Sequence, residues 1–404
     1  MTEKFLIIGA GQAGQSLAAA LRQHAPSADI TLIGDETAPP YQRPPLSKAY
    51  LLGDMPLERL YLRPLSWYED NRITLRLGTP VSRIDRAAKT VQIGDEILPY
   101  DKLALTTGSV ARRLPGSLGG DLDGVYTVRR LADIDRIEPE FREGRRLLVV
   151  GGGYIGLEAA AVAAKRGLVV KVLEAAPRIL GRVAAAETAA YFRDTHAAHG
   201  VEILEGVALS LLKGDPSGRV IGAELSNGEF LEADFVITGV GIAPATALAE
   251  AAGLALSNGI AVDDHCRTSD PHIYASGDCA SFPFRGERLR LESVGNAIDM
   301  AECAAANMAG EAKVYHPKPW FWSDQYDVKL QIAGLGQGHT QVVTRRSDSG
   351  LSHWYFAQDQ LIAVDAMNDP RAYMVGKRLI EAGRTVDPAL IADPTSDLRQ
   401  LIKG

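Results

Sequence analysis

Two glycine clusters carry the clearest chemistry in this chain. Gly9-Ala10-Gly11-Gln12-Ala13-Gly14 follows the apolar run Phe5-Leu6-Ile7-Ile8, and Gly151-Gly152-Gly153-Tyr154-Ile155-Gly156 follows Leu147-Leu148-Val149-Val150. Each GxGxxG therefore lies between a strand and an Ala/Leu-rich helix. Glycines at these points let the N–H groups of a helix N-terminus approach a pyrophosphate closely, where the helix dipole also favours the anion. One copy is a weak signal. Two copies imply two dinucleotides, and a chain that holds two is suited to moving electrons between them.

An acid stands where a ribose belongs after each cluster. Asp35 lies about 20 residues beyond Gly14, with Glu36 as a one-residue alternative, and Glu174 ends the matching strand of the second unit. A carboxylate there accepts a hydrogen bond from a free 2′-hydroxyl and repels a 2′-phosphate. Glu174 therefore favours NADH over NADPH; Arg178 is the one nearby cation that argues the other way. Cys266, Cys279 and Cys303 are widely spaced and form no CxxC, so they read as small buried residues. The eight histidines show no metal-ligand spacing, no metal site is expected, and GxSxG is absent.

The elements that position these residues follow from the pattern. Strand 5–8, helix 12–23 and strand 30–33 make one βαβ unit; strand 147–150, helix 154–165 and strand 169–173 make a second. Leu103-Ala104-Leu105-Thr106-Thr107-Gly108 and Phe235-Val236-Ile237-Thr238-Gly239-Val240-Gly241 are strands ending in glycine turns, where the chain can cross between domains. Ile273-Tyr274-Ala275 runs into the acidic turn Ser276-Gly277-Asp278. From about Val314 the texture changes to Trp, Tyr and short alternating strands with a helical end, which reads as an α+β domain. The fold class is α/β: two Rossmann-like dinucleotide-binding domains plus a C-terminal α+β domain. The expected boundaries are 1–108 with 240–315, 109–239, and 316–404.

Composition narrows the class. At 404 residues, 46% hydrophobic and 23% charged, the chain can bury several ordinary cores. A net charge of −7 argues against a nucleic-acid binder. No apolar run reaches the roughly 20 residues of a membrane span, and the N-terminal apolar run leads straight into a glycine turn instead of a signal-peptide cleavage site. A cytoplasmic protein without membrane attachment is expected.

Together these features resemble the glutathione-reductase-like two-dinucleotide flavoproteins. Within them, the chain is most similar to the NADH-dependent ferredoxin reductases of bacterial cytochrome P450 and aromatic-ring dioxygenase systems. The more specific marks are Arg43-Pro44-Pro45-Leu46-Ser47-Lys48, the stretch 268–280, Glu292-Ser293-Val294-Gly295-Asn296-Ala297, and Pro319-Trp320-Phe321-Trp322-Ser323-Asp324-Gln325-Tyr326. The resemblance implies FAD on the first unit and NADH on the second. The implied FAD contacts are Gly9, Gly11, Ala13, Gly14, Asp35, Glu36, Arg43, Lys48, Val81, Thr107, Gly108, Arg129, Gly277, Asp278, Glu292, Ser293, Val294 and Trp322. Those for NADH are Gly151, Gly153, Tyr154, Ile155, Gly156, Glu158, Glu174 and Gly241. Asp278 would hold the ribityl chain, and the helix begun by residues 292–297 would point its positive end at the flavin pyrimidine. The related pattern often has Pro at the position of Gly295, so a local backbone difference is expected there. Arg129 is implied near the FAD, with a surface arginine as the alternative.

Four residues take implied catalytic roles. The disulfide reductases of this fold carry redox cysteines in the region of Lys48; this chain has none, so electrons cannot leave through a thiol. Lys48 is instead expected to pair with Glu158 and stabilise reduced flavin, Tyr154 to gate the isoalloxazine, and Trp322 to stand on the electron exit. Trp320 and Trp322, two apart, would share one strand face, for which domain packing is the other reading. The implied reaction is hydride transfer from NADH to FAD, then single electrons to a [2Fe–2S] ferredoxin and indirectly to a P450 or dioxygenase. A monomer or weak dimer is expected. The rivals are a reductase for rubredoxin or a small quinone, and an NADH-sensing flavoprotein of the apoptosis-inducing-factor type.

Overall fold

A computed structural model describes residues 2–347 and 350–402. The chain clusters into two compact units: Met1–Arg43, Pro56–Val110 and Ile242–Pro319 in the first, and Pro44–Met55, Ala111–Gly241 and Trp320–Gly404 in the second.

The first unit is built on a five-stranded sheet in the order Ile273–Ala275, Lys102–Leu105, Lys4–Ile8, Asp29–Ile33, Ile73–Arg76. All neighbours run parallel, with Ile7 opposite Leu32 on one side and Ala104 on the other. Parallel strands covered on both faces need apolar side chains throughout, and Phe5 to Ile8 are all buried. Helices Gln12–His24 and Val294–Met308 pack together and bury Leu17, Leu21, Met300 and Ala304. A three-stranded antiparallel sheet, Arg83–Asp85, Thr90–Ile93 and Glu96–Pro99, adds to this unit. Its strands are too short for the alternation to show in the sequence.

The second unit repeats the parallel plan in the order Glu202–Glu205, Val169–Glu174, Arg146–Val150, Phe235–Thr238, Val125–Thr127. Helix Tyr154–Lys165 buries Ala159, Ala160, Ala161 and Ala163, small side chains that let the helix approach closely. The C-terminal segment forms an antiparallel sheet ordered Trp320–Gln325, Val328–Gly334, Gln360–Met367, Gly350–Ala357, Gln341–Ser347, with helix Pro370–Glu381 against it. Among the described residues no helix is long and apolar enough to cross a membrane.

Helix Ala186–Ala198, whose sequence carries no clear apolar stripe, packs against strand Glu202–Glu205 and hydrogen-bonds to strands of the C-terminal sheet. Its Thr188 is fully buried; the Oγ1 donates to Asp365 Oδ2 at 2.8 Å and lies 2.8 Å from His353 Nδ1. The Tyr355 hydroxyl also donates to Asp365 and accepts from the Ala185 N–H at 3.0 Å. Burial raises the Asp365 carboxyl to about 6, and the two hydroxyl donors and the more remote His339 only partly offset it. A carboxyl raised in the fold stabilises it least once pH exceeds the folded value. Asp365→Asn should therefore raise the melting temperature at pH 8, by an amount worth about 1–2 kcal/mol, and the gain should vanish near pH 4. Thermal unfolding at the two pH values checks this.

Candidate functional site

The three glycines of each cluster do different work. A Cβ on Gly9 would meet Thr106 O at 2.3 Å, and one on Gly14 would meet Gly9 O at 1.9 Å. In the second cluster the clashes are Gly151 with Gly239 O at 2.4 Å and Gly156 with Gly151 O at 2.2 Å. First and third glycines are thus required by backbone packing. A Cβ at the middle glycines, Gly11 and Gly153, meets nothing within 4 Å. These same two residues are the N-caps of helices Gln12–His24 and Tyr154–Lys165, and neither helix has a side-chain cap. An uncapped helix start with open space before it fits the phosphates of a dinucleotide, since first-turn N–H groups need acceptors. Both clusters pass this test.

Around the first cluster, Thr106 Oγ1 donates to Gly9 O at 2.8 Å, and Thr107 Oγ1 donates to Ala245 O at 2.7 Å. Gly108 takes a positive φ and its carbonyl accepts from Ala245 N–H at 2.9 Å. Gly277, also at positive φ, comes within 3.0 Å of the Ala13 methyl when given a Cβ, so the Asp278 turn abuts the cluster. Asp278 Oδ2 accepts from Ser109 Oγ at 2.8 Å. Asp35 is exposed, whereas Glu36 is half-buried and accepts from Tyr41 OH and Arg43 Nη2, both at 2.7 Å. Burial lowers the Arg43 guanidinium, but Tyr41, Glu36 and Asp278 outweigh it and the net displacement is upward. Arg43 is thus paired with Glu36, and the Asp278 carboxylate adds to the field that favours its charge. Ser293 caps helix Val294–Met308, accepting from Asn296 N–H at 3.2 Å, and Glu292 pairs with Arg290. Val81 lies in a loop, half-buried against the core of this unit.

In the second cluster Glu174 folds back onto the glycine turn. Its Oε2 accepts from Gly152 N–H at 2.8 Å and its Oε1 from Ala176 N–H at 2.7 Å. Gly241, at positive φ, accepts from Arg112 N–H at 2.9 Å. Ile155 is exposed, and Arg129 sits at the start of helix Leu131–Ile137, its N–H donating to Asp133 at 3.0 Å.

Lys48 and Glu158 meet. Lys48 Nζ is 3.0 Å from Glu158 Oε1 and 3.7 Å from Asp324 Oδ2, and it stands 5.9 Å from the centroid of the Trp322 ring. Ser323 Oγ donates to Glu158 Oε1 at 2.6 Å, and Ser47 Oγ donates to Oε2 at 2.8 Å. Burial pushes the Glu158 carboxyl above its ordinary value, while Lys48, Ser323 and Ser47 all favour the ionised form. Neither serine was singled out in the sequence. Serine is common and mostly exposed, and only its neighbours Lys48 and Trp322 pointed to these stretches. Trp320 and Trp322 do share a face, stacked at 5.4 Å and 20°. Tyr154 opens its helix with its ring 4.9 Å from Phe321. Its hydroxyl is buried without a hydrogen-bond partner among the described residues. Burial drives that phenol well above its usual range, with Asp365, Tyr355 and Glu158 acting in the same direction. Cys266, Cys279 and Cys303 are buried.

Two glycine cradles, each between a parallel strand and an uncapped helix, fit an oxidoreductase of the two-dinucleotide class. The chain belongs to the pyridine nucleotide-disulphide oxidoreductase family, whose pattern matches residues 3–301, and a reductase C-terminal domain matches residues 320–402. It is 42% identical over 402 residues to rhodocoxin reductase of Rhodococcus erythropolis, covering 98% of this chain and 94% of that one. The solved ferredoxin reductase for the CYP199A2 system of Rhodopseudomonas palustris superposes with a TM-score of 0.96 at 39% identity, covering 99% of this chain and 100% of the other. The covalent putidaredoxin reductase–putidaredoxin complex matches with a TM-score of 0.95 at 38% identity, covering 99% and 98%.

Lys48→Met should strand the Glu158 carboxylate away from water and lower stability by about 3 kcal/mol at pH 8. The loss should shrink at pH 5, where the carboxyl can take up a proton. Equal losses at both pH values in thermal unfolding would show that charge is not the cause.

Proposed function

We propose that this protein is an FAD-dependent reductase that oxidises NADH and passes single electrons to a [2Fe–2S] ferredoxin serving a P450 or ring-hydroxylating oxygenase. The observation that carries the reading is the Lys48–Glu158 pair lying beside Trp322, in a chain with two dinucleotide cradles and no cysteine near Lys48. The relatives support the acceptor: one is named for a P450 system and another is solved with its redox partner.

When bound, the flavin supplies the exchange between a two-electron nicotinamide and one-electron carriers. The chain binds and orients. The N–H groups after Gly11 and Gly153 hold the two pyrophosphates, and Asp278 and Arg43 order the polar surroundings of the first cradle. Glu174, already fixed to the glycine turn, presents a carboxylate that accepts from a free 2′-hydroxyl and repels a 2′-phosphate. Lys48 supplies a cation where reduction adds negative charge, and Glu158 keeps that ammonium in place. Tyr154 shields its site until the nicotinamide displaces it.

The purified protein should be yellow and should bleach rapidly with NADH under anaerobic stopped flow. NADPH should be at least about tenfold less efficient. Gly156→Ala should keep the colour and lose most of the NADH response, because its Cβ strikes Gly151 O and distorts only the second cradle. A colourless protein that cannot be reconstituted with FAD would overturn the reading. Fast reduction followed by a long-lived reduced state that no [2Fe–2S] protein reoxidises would favour the sensor, and reoxidation only by rubredoxin or a quinone would move the acceptor.

A further inference from the structure

The surroundings of Glu158 extend beyond Lys48, Ser47 and Ser323. From Oε1 a line of hydrogen bonds runs outward through residues that the function above does not use. Ser323 Oγ donates to Glu158 Oε1 at 2.6 Å, and Gln325 Nε2 donates to Ser323 Oγ at 3.2 Å. Gln325 Oε1 lies 2.8 Å from His196 Nε2, and the Tyr326 hydroxyl lies 3.0 Å from His196 Nδ1. Ser323, Gln325 and His196 are 0–1% exposed, so water does not compete for these bonds. Tyr326 stacks on the exposed ring of His199 with centroids 3.7 Å apart, which brings the line to the surface.

The direction of every bond follows from one end. An ionised carboxylate only accepts, so the Ser323 hydroxyl must donate to it. Its oxygen is then left to accept from the Gln325 amide N–H, which turns the amide oxygen toward His196. An amide oxygen also only accepts, so His196 carries its proton on Nε2 and takes the Tyr326 proton on Nδ1. Strand period supplies the rest: Ser323 and Gln325 lie two apart on the inward face of strand Trp320–Gln325, while Asp324 faces Lys48.

We propose that Ser323, Gln325 and His196 are positioning residues that hold Glu158 ionised and fixed beside Lys48, with Tyr326 fixing the outer end of the line. This rests on the reading of Lys48–Glu158 as the working pair. The charged and titratable groups facing Glu158 are Lys48, with Asp324 beyond it, and the Tyr154 phenol; those facing His196 are Tyr326 and His199. Burial lowers the His196 imidazole to about 4, so the ring stays neutral and keeps its single tautomer across the working range. Gln325 does not relay protons as a hydroxyl would. The line orients and polarises; it does not conduct.

The test uses the full-length flavoprotein labelled with 15N-histidine, with the His196 signal identified by its loss in His196→Gln. His196 should remain the neutral Nε2–H tautomer from pH 5.5 to 8. Ser323→Ala removes a donor to the carboxylate and should move the acid limb of NADH-driven flavin reduction up by about one pH unit. Ser323→Thr, which keeps the hydroxyl, should restore it. Gln325→Leu should shift the limb the same way by a smaller step and release the His196 tautomer preference. An Nδ1–H tautomer in the parent, or an acid limb unmoved by both Ser323→Ala and Gln325→Leu, would overturn the proposal. If NADH reduces none of these proteins, the functional reading fails, and the His196 tautomer decides the hydrogen-bond line by itself.

Discussion

Backbone against backbone at two turns is the constraint from which the rest follows. Gly14 can start its helix only because nothing but hydrogen occupies the space against Gly9 O, and Gly156 repeats the arrangement against Gly151 O. That contact sets where each helix begins relative to its strand and leaves the next glycine bare. The bare position is what a phosphate needs, and the uncapped helix end is what it satisfies. Other pieces arrive at the same points for the same reason. Thr106 and Gly277 close on the first turn and Gly239 on the second, so Asp278 and Gly241 sit beside the cradles because their neighbours pack there.

In the proposed reading an ion pair stands where sulfur chemistry would otherwise be, and residue type and burial together support it. A cysteine pair exchanges electrons and protons through bonds to substrate, whereas Lys48 and Glu158 form no such bonds. In that reading they offer a fixed field. A field works only if both charges stay charged and stay put, and a surface pair does neither well because water screens it and side-chain entropy loosens it. Here Lys48 is largely covered and Glu158 almost wholly so, and Ser47 and Ser323 occupy both carboxylate oxygens. The stretch Arg43–Lys48 is divided accordingly: Arg43 clusters with the first unit, while Ser47 and Lys48 cluster with the second.

Much of this was legible in the sequence because glycine clusters, parallel-strand runs and a missing cysteine are local and rare. Strand 5–8, helix 12–23 and helix 154–165 match the observed elements to within one residue, since apolar runs bounded by glycine leave little choice. The Lys48–Glu158 contact was reachable only through resemblance; nothing in spacing brings residues 48 and 158 together. Helix Ala186–Ala198 escaped because its mixture of Ala, Tyr, Phe and charged residues marks no clear stripe, and its two informative side chains, Thr188 and His196, are polar groups facing inward. Asp35 and Glu36 could not be separated by spacing. The structure distinguishes them by burial, Asp35 being exposed and Glu36 half-buried against Tyr41 and Arg43.

Among the buried carboxyl groups of the second unit, Asp365 and Glu158 differ in a way that shows how burial is put to use. Asp365 has hydroxyls as its hydrogen-bond donors, so its charge remains poorly compensated and its proton is held to about pH 6. Glu158 has an ammonium besides its hydroxyls, and one of those hydroxyls is held by an amide that is held in turn by a histidine. At Asp365 the hydroxyl donors offset burial only in part. At Glu158 a cation and ordered donors favour the ionised form against a burial that still pushes the carboxyl upward. The same strand that aligns Ser323 and Gln325 inward sets Trp322 and Asp324 toward Lys48, so a two-residue period places the carboxylate's donors and the lysine's neighbours in one register.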